Sequence, residues 1–145
     1  MGFGRPLSDD IAVSMDGPSI AGTSAVNSTP VSMAGFSGVL FLVRIGTAAA
    51  NNNIKVQQDI AVGMSTAADL AGTEVASGAN TALGAEVVYP GGPSGEAFVR
   101  CVVTRGTSTT VDSIITIRFG SRTLPVAVPS TLSFETAVGP IEGTA

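Results

Sequence analysis

The stretch that decides the fold is AFVRCVVTRGTSTTVDSIITIRF, residues 97–119. It contains two runs in which apolar residues alternate with others, 97–105 and 111–119, separated by a short segment without that alternation. Because successive side chains of a strand point to opposite sides, each run places its apolar residues on one face. These residues are Val99, Cys101 and Val103 in the first run and Val111, Ile115, Ile117 and Phe119 in the second. Two such runs joined by a short connection are typical of a β-hairpin, so we predict that they pair.

A second pair of runs has the same pattern, at 36–45 and 54–62, on either side of the loop-like sequence GTAAANNN. The second of these runs alternates with polar residues, as expected for a half-exposed strand. The first has Val39, Phe41, Val43 and Ile45 on one face and Leu40 and Leu42 on the other. We therefore predict a second hairpin, with its first strand buried on both faces.

The rest of the chain predicts one domain with extended ends. Residues 1–35 contain three prolines and little periodicity, which indicates an extended N-terminal arm with at most one short strand. Residues 36–128 form the predicted core, and residues 129–145 a C-terminal arm. The two hairpins, the other short strands and the turns rich in Gly and Pro predict an all-β fold, a β-sandwich or a jelly-roll-like domain.

The composition excludes several classes of function. The chain has no His, one Cys, 12% charged residues and a formal net charge of −4. A His-centred catalytic triad and a Cys-rich zinc site are therefore excluded, and clustered positive charge for nucleic acid is lacking. The longest apolar run, residues 39–43, is far shorter than the roughly 20 residues that span a bilayer. We expect no catalytic residue, no cofactor, no metal and neither nucleic acid nor a membrane as partner.

The most reactive side chain by type is Cys101, which lies in mid-strand on a face lined by valines. Because reactivity requires a base or positive charge nearby, we predict an inert thiol in the core. The arms carry the candidate partner-binding residues. Ile11, Val13 and Met15 alternate as one face of a short strand, which we expect to dock on a neighbour by strand addition or in a groove. Phe134 and Ile141 are the corresponding anchors in the C-terminal arm.

Several short motifs give the chain a family resemblance. In order these are Gln57-Gln58, ADLAGTEV at 68–75, FVRCVVTRGT at 98–107, FGSRTLPV at 119–126 and PIEGTA at 140–145. Together they resemble a group of capsid decoration (cement) proteins of tailed bacteriophages, over roughly residues 36–145.

The resemblance implies a β-rich module that sits on the outside of an icosahedral head. It implies the major capsid protein as partner, a homo-oligomer in which a trimer is favoured, and location on the virion after synthesis in the host cytoplasm. An alternative from another class is a carbohydrate-binding or adhesin module. Sugar sites usually use Trp or Tyr faces, and the chain has no Trp and only Tyr89. An enzyme ranks third.

Overall fold

The protein is built from short and medium β-strands. The computed structural model describes residues 5–88, 98–121, 126–130 and 132–133. In these ranges a 3-10 turn, Leu7–Asp9, precedes eleven strands. The strands are β1 Ala12–Asp16, β2 Ser19–Gly22, β3 Val26–Asn27, β4 Val31–Ser32, β5 Gly38–Ile45, β6 Asn52–Asp59, β7 Ala68–Asp69, β8 Val75–Ala76, β9 Ala82–Val88, β10 Phe98–Arg105 and β11 Thr109–Phe119.

The strands form two antiparallel sheets packed face to face. The first sheet has the order β1-β11-β5-β9, and β2 also pairs with β11. The second has the order β3-β10-β6-β7, with β4 on β10 and β8 on β6. The core between them is apolar and its largest buried side chains come from both sheets: Phe41, Ile45, Ile114, Ile54, Val99 and Val103. The predicted all-β sandwich is confirmed.

Both predicted hairpins are wrong. The sequence predicts that β5 pairs with β6 and β10 with β11, but in the structure β10 pairs with β6 and β11 pairs with β5. The reason is that each long strand has one strongly apolar face that must be buried against another apolar face. When the chain crosses from one sheet to the other between two successive strands, the apolar faces of both strands can be buried against each other. The short connecting sequence is compatible with such a crossing and with a hairpin, so it does not distinguish the two.

An irregularity in β11 changes which of its side chains face the core. The register shifts between Val111, opposite Ile45, and Ser113, opposite Arg44. Because a one-residue shift moves every following side chain to the other face, Val111 points inward but Ile115 does not. The prediction that Val111, Ile115, Ile117 and Phe119 share a face is therefore corrected, and the buried residues after the shift are Ile114 and Thr116.

The strand predicted to be buried on both faces is covered on one. The inward residues of β5 are 0–3% exposed, namely Val39, Phe41, Val43 and Ile45. On the opposite face Leu42 is 40% exposed. The second sheet packs against only one side of β5, so the other side remains an outer surface.

The predicted N-terminal arm is corrected, because residues 12–32 supply four strands to the sandwich. β1 pairs with β11 over its whole length, from Ala12 opposite Arg118 to Asp16 opposite Ile114. β3 and β4 pair with β10 of the same chain. These strands are two to five residues long, too short for their alternation to stand out in the sequence. Residue 36 therefore does not mark where strand pairing begins.

Candidate binding surface

The outer face of the first sheet carries a continuous set of apolar side chains. Residues directly opposite each other in an antiparallel pair lie on the same face. Met15 is opposite Ile115, which is opposite Leu42, and this makes one row across three strands. The next row is Val13, Ile117 and Leu40. We call these six residues together with Phe119 the apolar outer face.

The apolar outer face is accessible to a partner. Met15 is 56% and Leu42 is 40% exposed, while the other five side chains are half-buried. An antiparallel sheet with one face in the core normally presents polar residues on the other. Large exposed apolar patches are found at interaction sites, which makes this face the candidate binding surface.

Phe119 closes one end of this surface by lying across the backbone of Gly38. A Cβ built on Gly38 would stand 2.6 Å from Cε2 of the Phe119 ring, so the ring occupies the space that any other side chain would fill. Gly38 and Phe119 are opposite each other in the register. The glycine therefore lets an aromatic ring lie flat on the sheet and extend the apolar surface.

The outer face of the second sheet is polar. Asp69 accepts hydrogen bonds from Nζ of Lys55 at 2.8 Å and Nε2 of Gln57 at 2.7 Å. Those two bonds hold the pKa of the Asp69 carboxyl below its usual value. Nη2 of Arg100 donates to Oε1 of the same Gln57 at 2.8 Å. The two outer faces of the sandwich thus differ, since one has hydrogen-bonded polar side chains and the other an apolar surface.

The structure separates the predicted partner-binding residues into two groups. Met15 and Val13 belong to the apolar outer face. Ile11 and Val13 also line a small cavity with Val128, Pro129 and Leu132 of the same chain. Phe134 and Ile141 lie outside the described residues. The strand formed by 12–16 pairs with β11 of its own chain, so the expectation of a free arm docking elsewhere is corrected, while a role for Val13 and Met15 in binding stays a prediction.

Sequence reasoning missed the larger part of this surface. The sequence pattern predicts that Leu40 and Leu42 are buried, and it assigns Ile115, Ile117 and Phe119 to the same face as Val111. The sequence does contain a signal for this surface, because β5 carries apolar residues on both of its faces. In a sandwich of two sheets each strand has one face in the core, so the second apolar face of β5 must lie outside.

No feature of the described residues points to chemistry at a reactive group. Cys101 is fully buried, and burial raises the pKa of its thiol to about 12. Within residues 5–88, 98–121, 126–130 and 132–133 there is no cluster of three His, Cys, Asp or Glu side chains that could hold a metal ion. In the same part of the chain no helix is long and apolar enough to cross a membrane. Tyr89, on which the carbohydrate alternative depends, lies outside the described residues.

Comparison with known proteins identifies a similar fold. No family model matches the sequence, and no protein with curated annotation matches it. A solved structure, described as PBSX exported protein XepA, superposes with a TM-score of 0.52 and 12% sequence identity. The match covers 96% of this chain and 47% of that one, so the chain spans about half the length of XepA. At this identity the likeness shows the fold alone.

Proposed function

We propose that this protein is a structural protein of a bacteriophage virion, a capsid decoration protein that binds the outer surface of the assembled head through the apolar outer face. Its partner in this proposal is the major capsid protein, and its location is the virion surface after synthesis in the host cytoplasm. The protein acts by binding, with no catalytic residue, cofactor, nucleic acid or membrane.

The observation that carries the proposal is the difference between the two outer faces. Lys55, Gln57 and Arg100 on the second sheet are engaged in hydrogen bonds within the chain, as on an ordinary solvated face. The first sheet leaves Met15 and Leu42 exposed within a larger apolar surface. A chain that presents such a surface gains free energy by covering it with a partner, at about 25 cal/mol for each Å² of apolar area buried.

Two further findings support a phage protein. XepA, about half of which superposes on this chain, is described as an exported protein of the phage PBSX. Three of the five motifs that resemble decoration proteins lie on elements of the sandwich: Gln57-Gln58 on β6, ADLAGTEV from β7 to β8, and FVRCVVTRGT on β10 and the turn after it. PIEGTA lies outside the described residues. The decoration function itself rests on the resemblance together with the apolar outer face.

The binding would stabilise the head by mass action. A protein that binds only the assembled shell stabilises it by RT ln(1 + [L]/Kd) at each site, and a shell offers many equivalent sites. A homo-oligomer would add several binding faces to one particle and so increase the avidity. A trimer is what the resemblance implies, and it remains a prediction.

The test is cosedimentation of the purified protein with undecorated heads, assembled from the major capsid protein of the phage whose genome encodes this chain. Met15→Glu places a charge on the apolar outer face at an exposed position. Thr104→Glu is the matched control, because it adds the same charge to β10 in the second sheet. We expect the wild-type protein and Thr104→Glu to sediment with the heads and Met15→Glu to lose most of its binding.

Two results would contradict the proposal in different ways. If the wild-type protein does not bind heads at any concentration tested, the decoration function is wrong. If Met15→Glu and Thr104→Glu bind as well as the wild type, the protein is a decoration protein that uses another surface.

A further inference from the structure

One edge of the first sheet differs from every other sheet edge in the described residues. β9 is seven residues long, contains neither Pro nor Lys, and pairs only with β5. The opposite edge of this sheet is divided into β1 and β2 at Gly17-Pro18. Both edges of the second sheet consist of two-residue strands. Natural proteins shorten, interrupt or charge their edge strands to prevent pairing with other chains, and β9 has few of these protections.

The hydrogen-bonding groups on the open side of β9 can be assigned from the register. The N–H of Ile45 donates to the carbonyl of Thr81 at 2.9 Å. Bonded and non-bonded pairs alternate along an antiparallel ladder, so Leu83, Ala85 and Val87 direct their backbone groups toward β5. The backbone groups of the remaining residues of β9 face away from β5, and all four residues are exposed: Ala82, Gly84, Glu86 and Val88. None of these groups has a hydrogen-bond partner within the described part of the chain.

This edge is complementary to itself in a single register. If two copies of β9 run antiparallel about a two-fold axis at Ala85, residue 82 is opposite 88 and residue 84 is opposite 86. Every N–H and C=O on the two open edges then lies in a bonded pair. Glu86 is opposite Gly84 of the other copy, so no like charges face each other. If the axis lay at Glu86, the Glu86 carboxylates of the two copies would be opposite each other. If it lay at Gly84, Val88 would have no residue of the other copy's β9 opposite it.

We propose that two copies of this chain associate through β9, edge to edge, in the register centred on Ala85. The two first sheets then form one continuous sheet, and the apolar outer faces of both copies lie on the same side of it. An even number of copies competes with the trimer that the resemblance implies, and the mass of the purified protein distinguishes the two. The inference does not depend on binding to heads.

The experiment measures the mass of the protein by sedimentation equilibrium over a range of concentrations. The expected mass at high concentration is twice 14.4 kDa, or an even multiple of it. Gly84→Glu and Gly84→Lys form the critical pair of variants, because each side chain would stand opposite Glu86 of the other copy. Both variants place a Cβ at the same 3.3 Å from Cδ2 of Leu42, so their steric effects on the folded single chain are matched.

Gly84→Glu should weaken the association relative to Gly84→Lys by on the order of tenfold, because two symmetry-related pairs change from attraction to repulsion. The double variant Gly84→Glu with Glu86→Lys restores opposite charges and should restore the association. Hydrogen exchange gives a second readout, since the amides of residues 84 and 86 should be protected only at concentrations where the dimer forms.

Several results would overturn the proposal. These are a mass of one or three copies at every concentration, equal weakening by the two Gly84 variants, or exchange at residues 84 and 86 that does not depend on concentration. None of them bears on the cosedimentation with heads, so this inference and the decoration function fail separately.

Discussion

Arg105 holds residues 20–24, in β2 and the segment after it, onto the sandwich, and its replacement should be strongly destabilising. The side chain is 7% exposed and donates three hydrogen bonds to backbone carbonyl oxygens. Nε donates to Ser24 at 2.6 Å, and Nη1 donates to Ile20 and to Thr109 at 2.8 Å each. Two of these carbonyls belong to the segment that the sequence predicted as a free arm.

Arg105→Met keeps most of the aliphatic stem but removes all three donors. Hydrogen bonds to a charged group contribute about 1.5–3 kcal/mol each, and a buried carbonyl left without a donor costs about 1–3 kcal/mol. Ser24 and Ile20 are exposed, so water replaces the donor at their carbonyls, whereas Thr109 is 1% exposed. Since removing the guanidinium also removes the cost of burying it, we expect a net loss of about 2–4 kcal/mol.

The assay is equilibrium unfolding in urea followed by circular dichroism, at one fixed protein concentration because association would contribute to stability. Arg100→Met is the matched control. Among the described residues, Nε and Nη2 of Arg100 both donate to Oε1 of Gln57, on the solvated face of the second sheet. Because water can replace the lost partner on this face, the loss of stability should be below about 1.5 kcal/mol. If Arg105→Met were no more destabilising than Arg100→Met, the anchoring of residues 20–24 by Arg105 would be refuted.

Three further predictions concern buried polar groups. Oγ1 of Thr116 is buried without a hydrogen-bond partner among the described residues. Thr116→Val should therefore leave the free energy of unfolding in urea unchanged or raise it by up to about 1 kcal/mol. A large loss of stability would show that the hydroxyl is hydrogen-bonded. Cys101 should react with thiol reagents far more slowly in the native than in the denatured protein. Burial raises the pKa of this thiol from 9.0 to about 12, so its contribution to stability is present below pH 9 and should fall between pH 9 and 12, a dependence that Cys101→Ala should lack. Burial tends to raise the pKa of the Asp59 carboxyl, but hydrogen bonds from the hydroxyl and N–H of Thr66 and from other backbone N–H groups lower it overall. The contribution of Asp59 to stability is therefore present above pH 3.8 and lost as the pH falls through the lowered value, and unfolding of Asp59→Asn should depend less on acid than that of the wild type.

The sequence predicts the class of the fold because that depends on local pattern. Alternating β-branched residues along β5, β6, β10 and β11 indicate strands wherever they pair, and the four predicted runs are strands in the structure. The burial of Cys101 follows from the same alternation, because Val99 and Val103 share its face. These inferences need only the two-residue period of a strand.

Pairing, face and surface are decided by the tertiary structure. β10 and β11 lie in opposite sheets because that arrangement buries the apolar faces of both strands. Burial of these faces depends on β5 and β6, which are distant in the sequence. The register of β11 shifts between Val111 and Ser113 opposite β5 and between Thr109 and Val111 opposite β2, and both partners are distant from β11 in the sequence. Ile115, Ile117 and Leu42 are apolar by sequence, but only the packing of two sheets, each with one inner face, decides that these three lie on the outside. The alternation of a strand specifies that it has two faces, and the rest of the fold specifies which of them is covered.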